Sequence, residues 1–263
     1  VPELPEVEGY ARYFAQHALG TRIARVEVLD ERILGEIRKE AFVRQLEGRS
    51  FTEVRRHGKH LFARATGGTL WLHLHFGMTG DLTSYGDESG APRFAKIVFA
   101  FDDGSRLAFE DMRLFGLAEL IDSPDLYIAE HALGPDPLDP SFTFAKFAEL
   151  LEPRRGAIKS LLMSQELVAG LGNLYVDEIL FQTSIHPRRA ADRLKEPEKR
   201  ALFTTMRKVL KDVIGRHERG RGWSAKWLTP NREAGERCTR CGGTLRRTVV
   251  FGRTTYFCVK HQR

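Results

Sequence analysis

The stretch Cys238–His261, CTRCGGTLRRTVVFGRTTYFCVKH, decides how the chain is read. Cys238-x2-Cys241 is followed by sixteen residues and then by Cys258-x2-His261. Each pair fits a tight turn that offers two ligands, and four N/S ligands complete a closed tetrahedral zinc site. Between the pairs, LRRTVVFGRTTYF predicts two strands folded around Phe251-Gly252-Arg253. The segment is too short to bury a core of its own, so a bound metal is expected to hold it together. One structural zinc ion is predicted, with Cys238, Cys241, Cys258 and His261 as ligands.

Outward from this segment, charge is unevenly spread. The 263 residues carry a net +6, yet Arg216–Arg263 alone holds 12 Lys/Arg against 3 Asp/Glu. The surplus positive charge therefore sits in the last fifth of the chain, with all three cysteines and two of the three tryptophans. An acidic partner is expected there, nucleic acid first. A disulfide framework is not expected from three cysteines. No apolar run approaches the roughly 18 residues that span a membrane, and no leader pattern precedes the first helix. These features predict a soluble, cytoplasmic protein without a membrane partner.

Before the basic segment, FTFAKFAELLEP, GAIKSLLMSQ, NLYVDEILFQTS and EPEKRALFTTMRKVLKDVIGRHE repeat apolar residues at helical spacing. Gly170 and Gly172 stand ahead of Asn173, which is read as the cap of the third of these helices. Its exposed N–H groups would suit a phosphate, and Lys159 could add a charge. The proline-rich LGPDPLDP separates this helical part from shorter alternating runs: RIARVEVL, SFTEVRRHGKHLFARA, TLWLHLHF, RFAKIVFAF and SRLAFEDM. The last two are joined by Asp102-Asp103-Gly104, a hairpin signal. One leading helix, Glu3 to about Ala18, precedes the strands and stops at Gly20. Pro2 suits the first turn of that helix, where a missing N–H is harmless.

These pieces coincide with one family. PELPEVE, HGKHLF, HFGMTG, DMRLFG, LGPDPL, AGLGNLYVDEILF with IHP, and the C-terminal cysteine hairpin stand in the order found there. The chain resembles formamidopyrimidine-DNA glycosylase and its relative endonuclease VIII, and is closer to the first. The resemblance implies an α+β multidomain fold. Residues 1–133 would form a catalytic β-sandwich with a leading helix, and 134–222 a helix–two-turns–helix DNA-binding domain. Residues 223–263 would form an altered capping segment and a zinc-finger β-hairpin. Damaged double-stranded DNA would lie in the cleft between domains, bound by a monomer.

The implied activity is base-excision repair. The enzyme would remove oxidised or ring-opened bases and cut the strand by β- and δ-elimination, without a redox cofactor. Pro2 matches the nucleophile, which attacks the sugar and forms an iminium. An α-amino group is less basic than lysine, roughly 8 against 10.4, so more of it is free at neutral pH. Glu3 matches the general acid at the ring oxygen. Glu6 shuttles protons or is simply a first-turn acid, and Lys59 matches a phosphate-holding lysine. Met78, Arg113 and Phe115 match the residues that fill the gap left by an extruded nucleotide. Lys159, Asn173 and Arg253 match phosphate contacts. While Val1 is attached, the Pro2 nitrogen is an amide and cannot attack. Val1 is therefore expected to be a start codon read literally and trimmed in the cell.

The chain departs from the family pattern in three places. His261 stands where cysteine is common, and Met112 and Leu114 flank Arg113 where proline and arginine are usual. The segment ahead of Cys238, RGRGWSAKWLTPNREAGER, is short and lacks YGR. A weaker action on 8-oxoguanine than on ring-opened purines, other lesions or abasic sites is expected from it. Trp223, Trp227 and Lys226 either line the altered cap or pack on the helical domain. Two other readings remain at this stage. One is a damage-specific DNA-binding protein of the same fold without catalysis, and the other is a zinc-ribbon regulator.

Overall fold

The computed structural model describes residues 2–87, 90–152 and 154–263; Val1, on which the expected trimming rests, lies outside them. Contacts divide the chain into two units. Pro2 and Glu6–Ala132 belong to the first, and Glu3–Pro5 and Leu133–Arg263 to the second.

In the first unit, helix α1 (Leu4–Ala18) leads into β1 (Ile23–Val28), α2 (Lys39–Leu46), β2 (Phe51–His57) and β3 (His60–Ala65). Strands β4 (Trp71–His75), β5 (Gly80–Tyr85), β6 (Ala95–Phe101), β7 (Arg106–Asp111) and β8 (Leu117–Ile121) follow, then α3 (Pro124–Glu130). The strands form two antiparallel sheets, ordered β1-β6-β7-β5 and β2-β3-β4-β8. Period-two alternation sends one face of each into a shared core. Val26, Phe99 and Phe109 enter from one sheet, and Leu61, Ala63, Leu72 and Leu74 from the other. Val7 and Phe14 of α1 complete it at helical spacing. This is the expected sandwich with its leading helix. The expected hairpin is present too: Gly104, at φ 84°, closes the β6–β7 turn.

The opposite face of β3 and β4 carries His60, Phe62 and His73, so here alternation places histidines where solvent would be expected. His73 Nδ1 lies 2.9 Å from Glu119 Oε1 on β8, and its Nε2 lies 2.9 Å from His60 Nδ1. The ring of Tyr127 on α3 covers His73 at 4.4 Å, and Arg55 of β2 pairs with Asp125 of α3 at 2.8 Å. Burial pushes His75, in the same strand as His73, down to about 4.

The second unit contains α4 (Phe144–Leu151), α5 (Ile158–Met163), α6 (Asn173–Gln182) and α7 (Glu196–Glu218). Thr143 caps α4 through its hydroxyl, and Glu198 accepts from Lys195 N at the start of α7. Phe147, Ile158, Val176, Ile179, Leu202, Met206 and Leu210 make the core, with Leu4 from the chain start. Strands β9 (Leu245–Val250) and β10 (Arg253–Cys258) form the expected hairpin, and a small cluster of Phe181, Leu228, Leu245, Cys238 and Cys258 anchors it. Among the described residues, no helix is long and apolar enough to cross a membrane.

Candidate functional site

The start of α1 differs from the sequence expectation in a useful way. The helix begins at Leu4, so Pro5 holds the first-turn place and Pro2 stands outside the helix. Glu3, the next residue, is buried, and its partners lie about 170 positions away. Gly172 N donates to its Oε2 at 2.7 Å, Leu174 N to its Oε1 at 2.8 Å, and Tyr175 N to Oε2 at 3.4 Å. Glu3 thus fills the N-terminus of α6 that the sequence had offered to a phosphate. Asn173 is not the cap. Helix α6 starts at Asn173 itself, whose Nδ2 donates to Thr254 O on β10 at 3.0 Å.

Gly172 explains why this is possible. Its φ of −135° makes no demand for glycine, but a Cβ there would lie 2.4 Å from Glu3 Cδ. Gly170, at φ 96°, supplies the left-handed turn just before it, and its carbonyl accepts from Leu4 N at 3.0 Å.

Lys159 is also placed differently from expectation. Its side chain is fully buried, and Nζ donates to Asp177 Oδ1 at 2.6 Å and to Thr255 Oγ1 at 2.6 Å. A direct phosphate contact needs an exposed ammonium; this one is spent inside the unit. Asp177 also accepts from Arg232 Nη2 at 2.7 Å and from Tyr256 N at 3.2 Å. Burial works against both charges, raising the Asp177 carboxyl and lowering the Lys159 ammonium; their mutual contact opposes it at both, and Arg232 opposes it at Asp177 but adds to it at Lys159. One carboxylate therefore joins α5, α6, the segment before the cysteines and β10. Arg253, at the start of β10, remains exposed.

In the first unit, Lys59 lies in the two-residue turn between β2 and β3 rather than within a strand, next to the buried Gly58 at φ 55°. Glu6 sits in the first turn of α1. The trio Met78, Arg113 and Phe115 comes together through backbone packing. Gly77, at φ 53°, lies so close to Phe115 that a Cβ would meet its carbonyl carbon at 2.3 Å. Met78 and Phe115 stay 37% and 55% exposed, and the Arg113 guanidinium lies 5.0 Å from the Phe115 ring centre.

The buried Asp111 holds this loop, a role the sequence reading missed. It accepts from Arg113 N at 3.1 Å, from Gly116 N at 2.6 Å and from the Thr79 hydroxyl at 2.5 Å. The signal was in DMRLFG, since an Asp two residues before an exposed residue commonly binds its N–H. Leu114, one of the departures, takes φ 54° and packs on the sandwich core, which leaves Arg113 and Phe115 outward.

Cys238, Cys241, Cys258 and His261 offer ligand atoms all within 4.8 Å of one another. Cys241 Sγ is 3.5 Å from both Cys258 Sγ and His261 Nδ1, and Cys238 Sγ is 3.5 Å from that nitrogen. Tetrahedral bonds of about 2.0–2.1 Å to nitrogen and about 2.3 Å to sulfur give edges of roughly 3.5–3.8 Å, so the cradle fits a small cation. His261 Nε2 faces Phe181 O at 3.2 Å, which leaves Nδ1 for the metal. A Cβ on Gly243 would crowd two of the sulfurs at 3.3 Å. Of the open alternatives for the tryptophans, Trp227 packs in the helical core, while Trp223 is 37% exposed and Lys226 is exposed.

Comparison with known proteins agrees with this geometry. Residues 1–118 match the formamidopyrimidine-DNA glycosylase N-terminal domain, and residues 133–223 match the formamidopyrimidine-DNA glycosylase H2TH domain. The chain is 38% identical to a formamidopyrimidine-DNA glycosylase of Symbiobacterium thermophilum, covering all of this chain and 89% of that one. It is 36% identical to that of Roseiflexus sp. over the full length of both. Its fold is similar to the Lactococcus lactis enzyme crystallised non-covalently with DNA containing an AP site, with TM-score 0.88, 30% identity and 99% of each chain covered. It is equally similar to MutM in complex with DNA containing carbocyclic 8-oxo-G, with TM-score 0.89, 30% identity and both chains covered fully. The chain belongs to the formamidopyrimidine-DNA glycosylase family.

Proposed function

We propose that this chain excises oxidised or ring-opened bases from duplex DNA and cleaves the resulting abasic site, acting as a monomer. The carrying observation is Glu3, a buried carboxylate directly after Pro2, held by three N–H groups of the α6 N-terminus. As a terminal secondary amine, the Pro2 nitrogen attacks the sugar's anomeric carbon and the damaged base leaves. The Glu3 carboxylate takes up the proton that the attacking nitrogen loses and delivers it to the ring oxygen, so the ring opens to an alcohol and the nitrogen–carbon double bond of an iminium forms. The iminium acidifies the neighbouring sugar proton, and β- then δ-elimination breaks the strand on both sides.

Lys59, on its tight turn, holds phosphate beside the lesion, and Glu6 serves the same proton traffic from the first turn of α1. Met78, Arg113 and Phe115 occupy the space of the extruded nucleotide, where a flat or apolar wedge offsets unstacking. Arg253 contacts phosphate. Asn173 and Lys159 act one step back, fixing β10 against α6. The four-residue cluster is a zinc site; the ion, when bound, ties the two ends of the hairpin segment together and takes no part in the chemistry.

Borohydride trapping on an abasic duplex tests the reading. A covalent protein–DNA adduct is expected through Pro2, and it should vanish in protein that still binds but keeps a residue ahead of Pro2, so that its nitrogen is an amide. Strand cleavage with no trappable adduct would overturn the iminium mechanism.

A further inference from the structure

The β9–β10 hairpin turns through two residues, Phe251 and Gly252, and Val250 pairs with Arg253 across them. Both take positive φ, 48° and 69°, the requirement of a type I′ turn. Glycine meets it freely, and asparagine or aspartate is the usual first residue. A phenylalanine there is conformationally unfavourable, and its ring gains nothing in return from packing. Phe251 is 83% exposed and the adjoining Val249 is 54% exposed. Folding of the hairpin therefore does not explain an aromatic residue at its tip.

The surroundings indicate what would cover it. Arg253 follows the turn, and Arg247 lies on the same side of β9 as Val249 by strand alternation. Arg246, Arg247 and Arg253 are exposed and have no ion-pair partner among the described residues. The tip is also braced from outside the hairpin: Arg188 Nη2 donates to Thr248 Oγ1 and to Val249 O, each at 2.9 Å. An apolar tip with an unpaired guanidinium beside it and two more farther down a braced hairpin suits a surface that is anionic outside and flat and apolar within. Duplex DNA is such a surface.

We infer that Phe251 is a second DNA-contacting wedge, which places its ring against a base or sugar face while Arg253 beside it and Arg247 farther along β9 engage phosphates. The inference rests on the duplex-DNA reading above and adds a contact separate from Met78, Arg113 and Phe115.

The test uses the full chain with Phe251→Asn, Phe251→Trp and Arg253→Gln. Asn-Gly is the preferred I′ pair, so Phe251→Asn keeps the hairpin and should melt no lower than wild type. Affinity for an abasic-analogue duplex is measured by fluorescence anisotropy across a salt series. Phe251→Asn should bind about 10-fold more weakly, as expected for one lost stacking contact, with the slope of log K against log salt unchanged. Phe251→Trp should restore binding, and Arg253→Gln should reduce the slope by about 1. A Phe251→Asn protein that binds as wild type does, from a wild type that gives the borohydride adduct, overturns this inference alone. A wild type that fails to bind the duplex overturns both readings.

Discussion

Replacing Gly172 with alanine is the sharpest probe of how Glu3 is held. The new Cβ would stand 2.4 Å from Glu3 Cδ and 2.5 Å from its Oε1. Ordinary carbon contact begins near 3.5 Å, so the carboxylate must retreat by about 1 Å. The bonds from Gly172 N and Leu174 N, now 2.7 and 2.8 Å, would stretch to about 3.7 Å and cease to be hydrogen bonds. Losing two charge-assisted bonds costs about 1.5–3 kcal/mol each. Removing glycine's flexibility from the unfolded chain returns about 0.4–1 kcal/mol, and water refilling the opened site recovers more. A net loss of about 2–3 kcal/mol is expected in denaturant unfolding.

The effect on rate is separate. A 1 Å misplacement of a reacting group lowers rate by about 100-fold, read as single-turnover cleavage of an abasic duplex at saturating protein. DNA affinity should change little, because no phosphate contact is touched. Wild-type rate and stability in Gly172→Ala would refute the claim that Glu3 acts from this pocket. Lost rate with unchanged stability would instead show that the three N–H groups find other partners.

Further outcomes follow from other parts of the chain. Asp111→Ala frees Arg113 N, Gly116 N and the Thr79 hydroxyl together; stability should fall by about 2–3 kcal/mol, and excision from a paired duplex should fall more than binding to an abasic one. His75 has its folded pKa lowered from 6.5 to about 4 by burial, so the unfolded chain binds the proton first. Stability from this group is complete above about pH 6.5 and is lost as pH falls towards 4, worth about 3 kcal/mol in all; chemical unfolding at pH 7 and pH 4.5 checks it, and His75→Phe should shrink the difference without removing it, because burial also lowers His60 and His73. Stripping metal with a chelator should lower duplex affinity and the melting temperature of the second unit, and added zinc should restore both. Single-turnover rates on a lesion panel should rank ring-opened purines and abasic sites above 8-oxoguanine, and fast, preferred 8-oxoguanine release would remove the argument from the short segment before Cys238.

How much of this was legible in the sequence depends on the distance over which each residue acts. The β9–β10 hairpin and the four-residue cluster were readable because ligand spacing and a Phe-Gly turn are local. Strands β5 and β8 were not read: GDLTSY is polar, since one face is solvated, and LAELI is too short to show alternation. Helix α2, KEAFVRQL, buries only Phe42 and Leu46, too few to stand out. Asn173 was read as a cap because Asn before an apolar run commonly is one, yet a carboxylate from the other end of the chain took the place. Lys159 failed for a related reason. Its charge is visible in sequence, but its burial beside Asp177 depends on three segments folding together. Gly172 is the same kind of case, a glycine whose need arises from a neighbour rather than from its own backbone angles.

The Asp177 junction bears on what can be taken apart. Its carboxylate receives a donor from α5, one from the segment before the cysteines and a backbone amide of β10, so removing any one leaves charges buried without counterparts. The cysteine hairpin is therefore not a detachable module. Excised or grafted elsewhere, it would leave behind a lysine and an aspartate whose environment the missing strand had completed. In hydrogen exchange the Tyr256 amide should open with the centre of α6, as one cooperative block. Loss of the ion at one end would then be felt as looseness at the helix that grips Glu3 at the other.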